Sequence, residues 1–417
     1  MKNLLKQIIL EQQEYIQGQN NIPRKINSEW LTTSEIVIIS GVRRCGKSVL
    51  LQQIREQMQE QSYFINFDDD RLINFKLEHF NLLEEAFIEL FDKQSTYYFD
   101  EIQNIEGWER FVRRLYNAGN KIFITGSNAK MLSRELGTHL TGRYIQIDLY
   151  PFSFKEYLNF NNYTPTEKEL YTTLGKTRIL SYFKEYMQNG GFPKYIQEHS
   201  NQYISSLYQS IIYRDILSRN NISNEREILE LMHYIASNIA KRFTYSSLAK
   251  TIGIKHPDTI KNYLEHIEST YLIFSLFKYD PSLKKQMANA KKIYLIDNAI
   301  ANKIGFNATD NFGSQLENLV FIELKRRGAE IFYHSNLHEC DFIIRQGIKI
   351  TEAYQVTMSI SNPETRQREI KGLLEALETY NLSRGYILTL EEAETITIND
   401  KTIQVLPVWK WLLDFII

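Results

Sequence analysis

The stretch Ile36-Val-Ile-Ile-Ser-Gly41-Val-Arg-Arg-Cys-Gly-Lys-Ser48-Val-Leu-Leu-Gln-Gln-Ile54 decides how the first third of the chain is read. An apolar run, a loop bounded by two glycines and an apolar pattern at helical spacing spell strand, loop, helix. Gly41 to Ser48 matches G-x-x-x-x-G-K-[ST] in full. The spacing has a chemical reason. Gly41 and Gly46 let the backbone curl, so that the amides of Val42, Arg43, Arg44 and Cys45 turn inward toward phosphate oxygens. Lys47 reaches the β- and γ-phosphates, and the Ser48 hydroxyl suits Mg²⁺. The helix that continues through Val49 adds its positive dipole end. ATP and Mg²⁺ are therefore the expected ligands.

Working outward, further apolar runs at Tyr63–Phe67, Thr96–Phe99, Lys121–Thr125 and Tyr144–Ile147 alternate with helical patterns. Such alternation predicts a parallel sheet covered on both faces. Tyr97-Tyr-Phe-Asp-Glu101 is an apolar strand ending in two acids. Asp100 is expected to hold Mg²⁺ and Glu101 to activate the attacking water as general base. Ser127 or Asn128, after Lys121–Thr125, is a candidate to contact the γ-phosphate or the lytic water. Arg143, in Leu140-Thr-Gly-Arg-Tyr144, is a candidate to stabilise transition-state charge in its own chain or in a neighbouring copy.

These motifs, with Leu149-Tyr-Pro-Phe-Ser-Phe-Lys-Glu-Tyr157, Gly190-Gly-Phe-Pro193 and Tyr213-Arg-Asp-Ile-Leu217, resemble a prokaryotic family of AAA+-type ATPases with a C-terminal domain of unknown function. The resemblance spans nearly the whole chain. It implies a P-loop ATPase core and a helical middle.

Composition sets bounds on the rest. The chain has 417 residues, 43% apolar and 24% charged, which excludes a disordered, collagen-like or coiled-coil protein. Two cysteines, Cys45 and Cys340, build no disulfide framework and fit a reducing cytoplasm. No apolar stretch is long enough to span a membrane. Four segments are expected: residues 1–150 as the P-loop core, 151–240 helical, 241–296 a winged helix-turn-helix, and 297–417 a nuclease-like α/β domain.

Residues 241–296 hold ten Lys/Arg and four Asp/Glu, a local net charge of +6 in a chain of net −1. A short helix, a turn at Gly253, a longer amphipathic helix and a hairpin (Ile273–Phe277 with Lys292–Ile296) make the winged-helix pattern. DNA contact is expected from Lys255, Lys261 and Asn262 near the second helix. On the wing it is expected from Lys284, Lys285, Lys291 and Lys292.

In the last segment, Glu317 on a helix, Asp341 on a strand and Gln355 on the next strand follow the metal-dependent layout of restriction-endonuclease-like folds. Gly313-Ser-Gln-Leu-Glu-Asn-Leu-Val320 and Glu339-Cys-Asp-Phe342 resemble the C-terminal domain of the same family, which resembles those nucleases. Gln355 stands where a second metal carboxylate is expected and Thr357 where a lysine is expected, with Lys349 and Lys371 as possible substitutes.

The reading is an ATPase whose nucleotide cycle changes how the basic segment and the C-terminal domain meet nucleic acid or another partner, with possible self-association. The alternatives are an ATP-dependent nuclease and a nucleotide switch or scaffold that contacts protein only.

Overall fold

The computed structural model describes residues 1–16, 22–127, 140, 142–306 and 311–414. They divide into two compact units, Met1–Tyr150 with Ser269–Tyr271, and Pro151–Glu268 with Leu272–Ile417. Apart from Ser269–Tyr271, the second unit takes in all three of the segments expected after residue 150.

In the first unit, β1 (Ile36–Gly41), β2 (Tyr63–Asn66), β3 (Thr96–Asp100), β4 (Lys121–Gly126) and β5 (Tyr144–Leu149) form one sheet in the order β2-β3-β4-β1-β5. Every pairing is parallel. The continuous apolar run of β1 has its reason here, because successive side chains serve opposite faces. Ile36 and Ile38 join a core with Tyr63, Phe80, Phe99 and Trp108. Val37 and Ile39 join another with Leu50, Leu51 and Ile54. The helices α1 (Lys2–Ile16), α2 (Lys47–Gln57), α3 (Phe80–Phe91) and α4 (Trp108–Asn117) flank the sheet. Full burial of each large side chain contributes roughly 1.5–3 kcal/mol.

The register matters for function. β1 leaves the sheet at Gly41, opposite Leu149 on β5, while Ser40 lies opposite Gly126 on β4. The carboxyl ends of β1, β3 and β4 therefore converge where the order reverses about β1, which is where open α/β sheets bind ligands.

The second unit begins helically, with α5 (Thr173–Asn189) and α6 (Glu225–Ser237) among its helices. The strands β6 (Arg242–Phe243), β7 (Ile273–Phe277) and β8 (Lys291–Leu295) then form an antiparallel sheet in the order β6-β8-β7. Between β6 and β7 lie α7 (Tyr245–Ile252) and α8 (Pro257–Ser269), separated by Gly253 at φ 81. The connection expected as a plain hairpin carries a helix, α9 (Leu283–Ala288).

After α10 (Asn298–Ile304) and α11 (Phe312–Arg326) comes a mixed sheet in the order β13-β14-β12-β11-β10-β9. Its strands are β9 (Glu330–Ser335), β10 (Glu339–Gln346), β11 (Lys349–Val356), β12 (Arg384–Thr389), β13 (Glu394–Ile398) and β14 (Lys401–Pro407). Helix α12 (Pro363–Thr379) contributes Leu373, Ala376 and Leu377 to a core with Ile343, Ala353 and Ile387. Among the described residues no helix is long and apolar enough to cross a membrane.

Candidate nucleotide site

The loop after β1 is shaped by close approaches. A Cβ on Gly41 would lie 2.2 Å from the Leu149 carbonyl oxygen, so only glycine fits. Gly46 takes a left-handed backbone, φ 102, immediately before α2, and Arg44 is also left-handed at φ 67. Val42 and Cys45 are buried, Arg43 and Val49 are partly buried, and Arg44 and Ser48 are exposed. Burial pushes the Cys45 thiol up, which makes it a packing residue and not a nucleophile.

Lys47 is only 4% exposed. Its Nζ donates to the carbonyls of Gly41 and Val42 at 3.2 and 3.3 Å and lies 3.7 Å from Glu101 Oε1. Glu101 has a left-handed backbone, φ 52, a conformation that costs roughly 1 kcal/mol in a non-glycine residue. Its own N–H compensates by donating to Thr125 Oγ1 at 2.9 Å. Ser127 Oγ donates to both Glu101 carboxylate oxygens at 2.9 and 3.0 Å, and Gln103 Nε2 donates to one of them. Burial raises the Glu101 pKa, but Lys47, Gln103, Ser127 and Arg43 outweigh it and hold the carboxyl below its ordinary value. Glu101 is thus an anion at neutral pH.

Asp100 behaves oppositely. Burial, followed by the neighbouring Glu101 charge, lifts it to about 6. Thr125 Oγ1 donates to Oδ1, and the Ser48 hydroxyl also favours the anion. Oδ2 is buried without a hydrogen-bond partner, which is costly for a carboxylate oxygen. An orphaned anionic oxygen beside an exposed hydroxyl on Ser48 is a donor set that fits a hard divalent cation.

The structure therefore brings Lys47, Ser48, Asp100, Glu101 and Ser127 to one sheet end. Asn128 lies outside the described residues. Arg143 is a correction for its own chain. It precedes β5, and its carbonyl accepts the Ile36 N–H at 2.9 Å. That is the amino end of a sheet whose strands all run the same way, about 17 Å along β5 from the loop at ~3.3 Å per residue. Its guanidinium sits 5.8 Å from the Tyr116 ring. It does not reach the phosphate loop of the chain that carries it.

Two residues at this site escaped the sequence reading. Arg24 Nη2 donates to the Cys45 carbonyl at 2.5 Å, and its backbone N–H donates to Gln53 on α2. Thr125 orients Asp100, the last residue of β3, and Glu101, which follows it. The Thr125 hydroxyl directly precedes the Gly126-Ser127 pair at the same strand end, a local signal that could have found it; Arg24 sits in no motif.

In the second unit, Glu317 and Asp341 are brought together around Lys292, with Gln355 beside Asp341. Lys292 Nζ from β8 lies 3.0 Å from Glu317 Oε1, 3.0 Å from Asp341 Oδ1 and 2.6 Å from Glu339 Oε1. Among the described residues no group of three or more His, Cys, Asp or Glu could hold a metal. The expected substitutes are also corrected. Lys349 is exposed at the far end of β11, opposite Gln346, and Lys371 is exposed on α12. Lys291 and Lys292, expected on a solvated wing, are 5% and 2% exposed. The reason is that β8 is the central strand of its sheet.

Comparison with known proteins agrees with the first unit. Residues 33–158 match the model of an AAA domain, and residues 180–310 match a domain of unknown function (DUF8612). An uncharacterized protein of Methanocaldococcus jannaschii is 34% identical over 434 residues, covering 99% of this chain and 96% of that protein. An uncharacterized protein of Haemophilus influenzae is 32% identical over 399 residues, covering 91% and 95%. Among solved structures, AMPPCP-bound DnaA from Aquifex aeolicus overlaps 58% of this chain and 85% of that chain, with a TM-score of 0.24 at 14% identity. The RuvB Holliday junction branch migration motor of Thermotoga maritima overlaps 65% and 88%, with a TM-score of 0.28 at 13% identity. With the two relatives matched over nearly their whole length and an AAA domain spanning the phosphate loop, the chain belongs to the family of AAA-domain proteins represented in Methanocaldococcus jannaschii and Haemophilus influenzae.

Proposed function

We propose that the chain hydrolyses ATP and uses the nucleotide state to change its contact with nucleic acid. The observation that carries the ATPase half is the convergence of Lys47, Asp100, Glu101 and Ser127 on one phosphate loop. Lys47 turns from the Gly41 and Val42 carbonyls toward the β- and γ-phosphates. Ser48 and Asp100 would hold Mg²⁺, which neutralises phosphate charge when bound. Glu101, kept anionic, orients water and takes its proton, and Ser127 fixes the direction of that carboxylate. Arg143, at the opposite sheet end, is left with a role in a neighbouring copy. That role requires self-association.

The nucleic-acid half is supported by charge and element order. β6, α7, α8, β7 and β8 follow the sequence of a winged helix. Lys250, Lys255, Lys261 and Asn262 are exposed on or beside α7 and α8, and Lys284 and Lys285 are exposed on α9. These lysines would contact phosphates and carry no base readout. The quadruple variant Lys255→Ala, Lys261→Ala, Lys284→Ala, Lys285→Ala is expected to weaken binding to duplex DNA of any sequence. The slope of log affinity against log salt should flatten by about one for each lysine–phosphate pair removed. Fluorescence anisotropy over a salt series measures it. No binding of wild-type protein at low salt, with or without nucleotide, would leave a switch that contacts protein only. Hydrolysis per chain that rises with protein concentration is the expected sign of Arg143 acting between copies, and the Arg143→Ala variant should lose that rise.

A further inference from the structure

We infer that Lys292 fills the cation position of the nuclease-like site from within the chain, so that the C-terminal α/β domain holds no divalent metal and the cluster instead fastens β8 to that domain. This goes beyond the ATPase reading and does not depend on it.

Three observations carry the inference. The first is position. The Lys292 ammonium lies within 3.0 Å of carboxylate oxygens from α11 and from both Glu339 and Asp341 of β10, which is where a metal bridging Glu317 and Asp341 would sit.

The second is saturation. Asp341 Oδ2 accepts the Val356 N–H at 3.0 Å. Glu317 Oε1 also accepts the Tyr294 hydroxyl at 2.6 Å. Glu339 Oε2 pairs with Arg242. Gln355, the neutral replacement for a second carboxylate, accepts the Asp341 N–H at 3.3 Å and donates to Glu369 Oε2 at 2.5 Å. Glu369 is itself paired with Arg368 at 2.5 Å. Glu317 Oε1, both Asp341 carboxylate oxygens and the Gln355 carbonyl already face N–H or O–H donors, and a fixed ammonium at this distance repels a divalent ion.

The third is access. The Lys292 and Asp341 side chains are 3% and 8% exposed. Tyr294 and Phe321 stack at 4.1 Å, with Phe342 5.7 Å from Tyr294. A metal nuclease must present its ion to a phosphodiester, whereas here Glu339, 33% exposed, is the carboxylate of the cluster that reaches the surface, and Arg242 holds its outer oxygen. A buried ion pair whose partners come from distant segments specifies how those segments dock. Here the strand β8, from the basic segment, is tied to α11 and β10.

The test uses the full-length, nucleotide-free chain and Mn²⁺ followed by electron paramagnetic resonance. Wild type and Asp341→Asn are expected to give the same Mn²⁺ isotherm. Lys292→Met, which keeps the side-chain volume without the charge, should gain one bound Mn²⁺ at an affinity roughly a hundredfold or more above that of wild type. Adding Asp341→Asn to it should abolish the gain. Melting curves give an independent readout: Mn²⁺ should raise the melting temperature of Lys292→Met by more than that of wild type, and Asp341→Asn should remove the difference. Wild-type Mn²⁺ binding that Asp341→Asn removes would overturn the inference. So would Mn²⁺-dependent DNA cleavage that disappears in Asp341→Asn, or a folded Lys292→Met that gains no ion. If Lys292→Met does not fold, the wild-type and Asp341→Asn isotherms decide.

Discussion

Replacing Lys47 by alanine is expected to weaken ATP binding by roughly 10- to 100-fold or more, taking hydrolysis with it. The side chain is 4% exposed and is aimed across the mouth of the loop, where it holds two backbone carbonyls and faces Glu101. Neutral carbonyls are weak partners for an ammonium compared with phosphate oxygens, so the lysine is released to the ligand at little cost. Charge-assisted hydrogen bonds contribute about 1.5–3 kcal/mol each, and about 1.4 kcal/mol is tenfold in affinity. The variant should keep its fold, because Lys47 supports the loop and not the sheet. Equal affinity for ATP in Lys47→Ala and wild type would remove the phosphate role of this residue.

Glu101→Gln should separate binding from chemistry. Gln keeps the shape and can accept from Ser127, so ATP affinity should hold. It cannot take a proton from water, so turnover should fall by roughly 10²- to 10⁴-fold. The environment of Glu101 explains why a carboxylate is needed. Lys47, Gln103, Ser127 and Arg43 stabilise the anion against burial, and its N–H is fixed by Thr125. Ser127→Ala offers a graded comparison. It removes two hydrogen bonds to the carboxylate but leaves the base, and so should lower turnover less than Glu101→Gln does. Steady-state hydrolysis beside equilibrium binding reads both. Wild-type turnover by Glu101→Gln would overturn its assignment as base.

Legibility followed locality. The phosphate loop is eight consecutive residues between a strand and a helix, and each of its structural requirements is written beside the next. The five strands of the first unit were legible because their apolar runs are nearly unbroken, as burial on both faces demands. The hairpin of β13 and β14 was missed although its pattern is present. Thr395-Ile-Thr-Ile398 alternates, and Asn399 and Asp400, at φ 46 and 61, make the left-handed pair that a tight hairpin requires.

For Arg143 the position speaks only against the role within its own chain: a residue just before a parallel strand belongs at the sheet end away from a loop that follows one. Lys292 was beyond sequence reasoning. It was counted as part of a basic face, and only the pairing of β8 between β6 and β7 turns it inward toward acids from α11 and β10. The charge of the segment was legible, whereas its direction was not. Arg24 is a similar case, since nothing in its neighbourhood points to the Cys45 carbonyl it holds.

The central claim is that the loop from Gly41 to Ser48 binds a nucleoside triphosphate with Mg²⁺. Isothermal titration calorimetry of the purified full-length chain with ATP, in the presence and absence of Mg²⁺, tests it most directly. The account predicts saturable binding at one site per chain, tighter with Mg²⁺ than without. A flat titration with ATP and every other purine triphosphate, Mg²⁺ present, would contradict it.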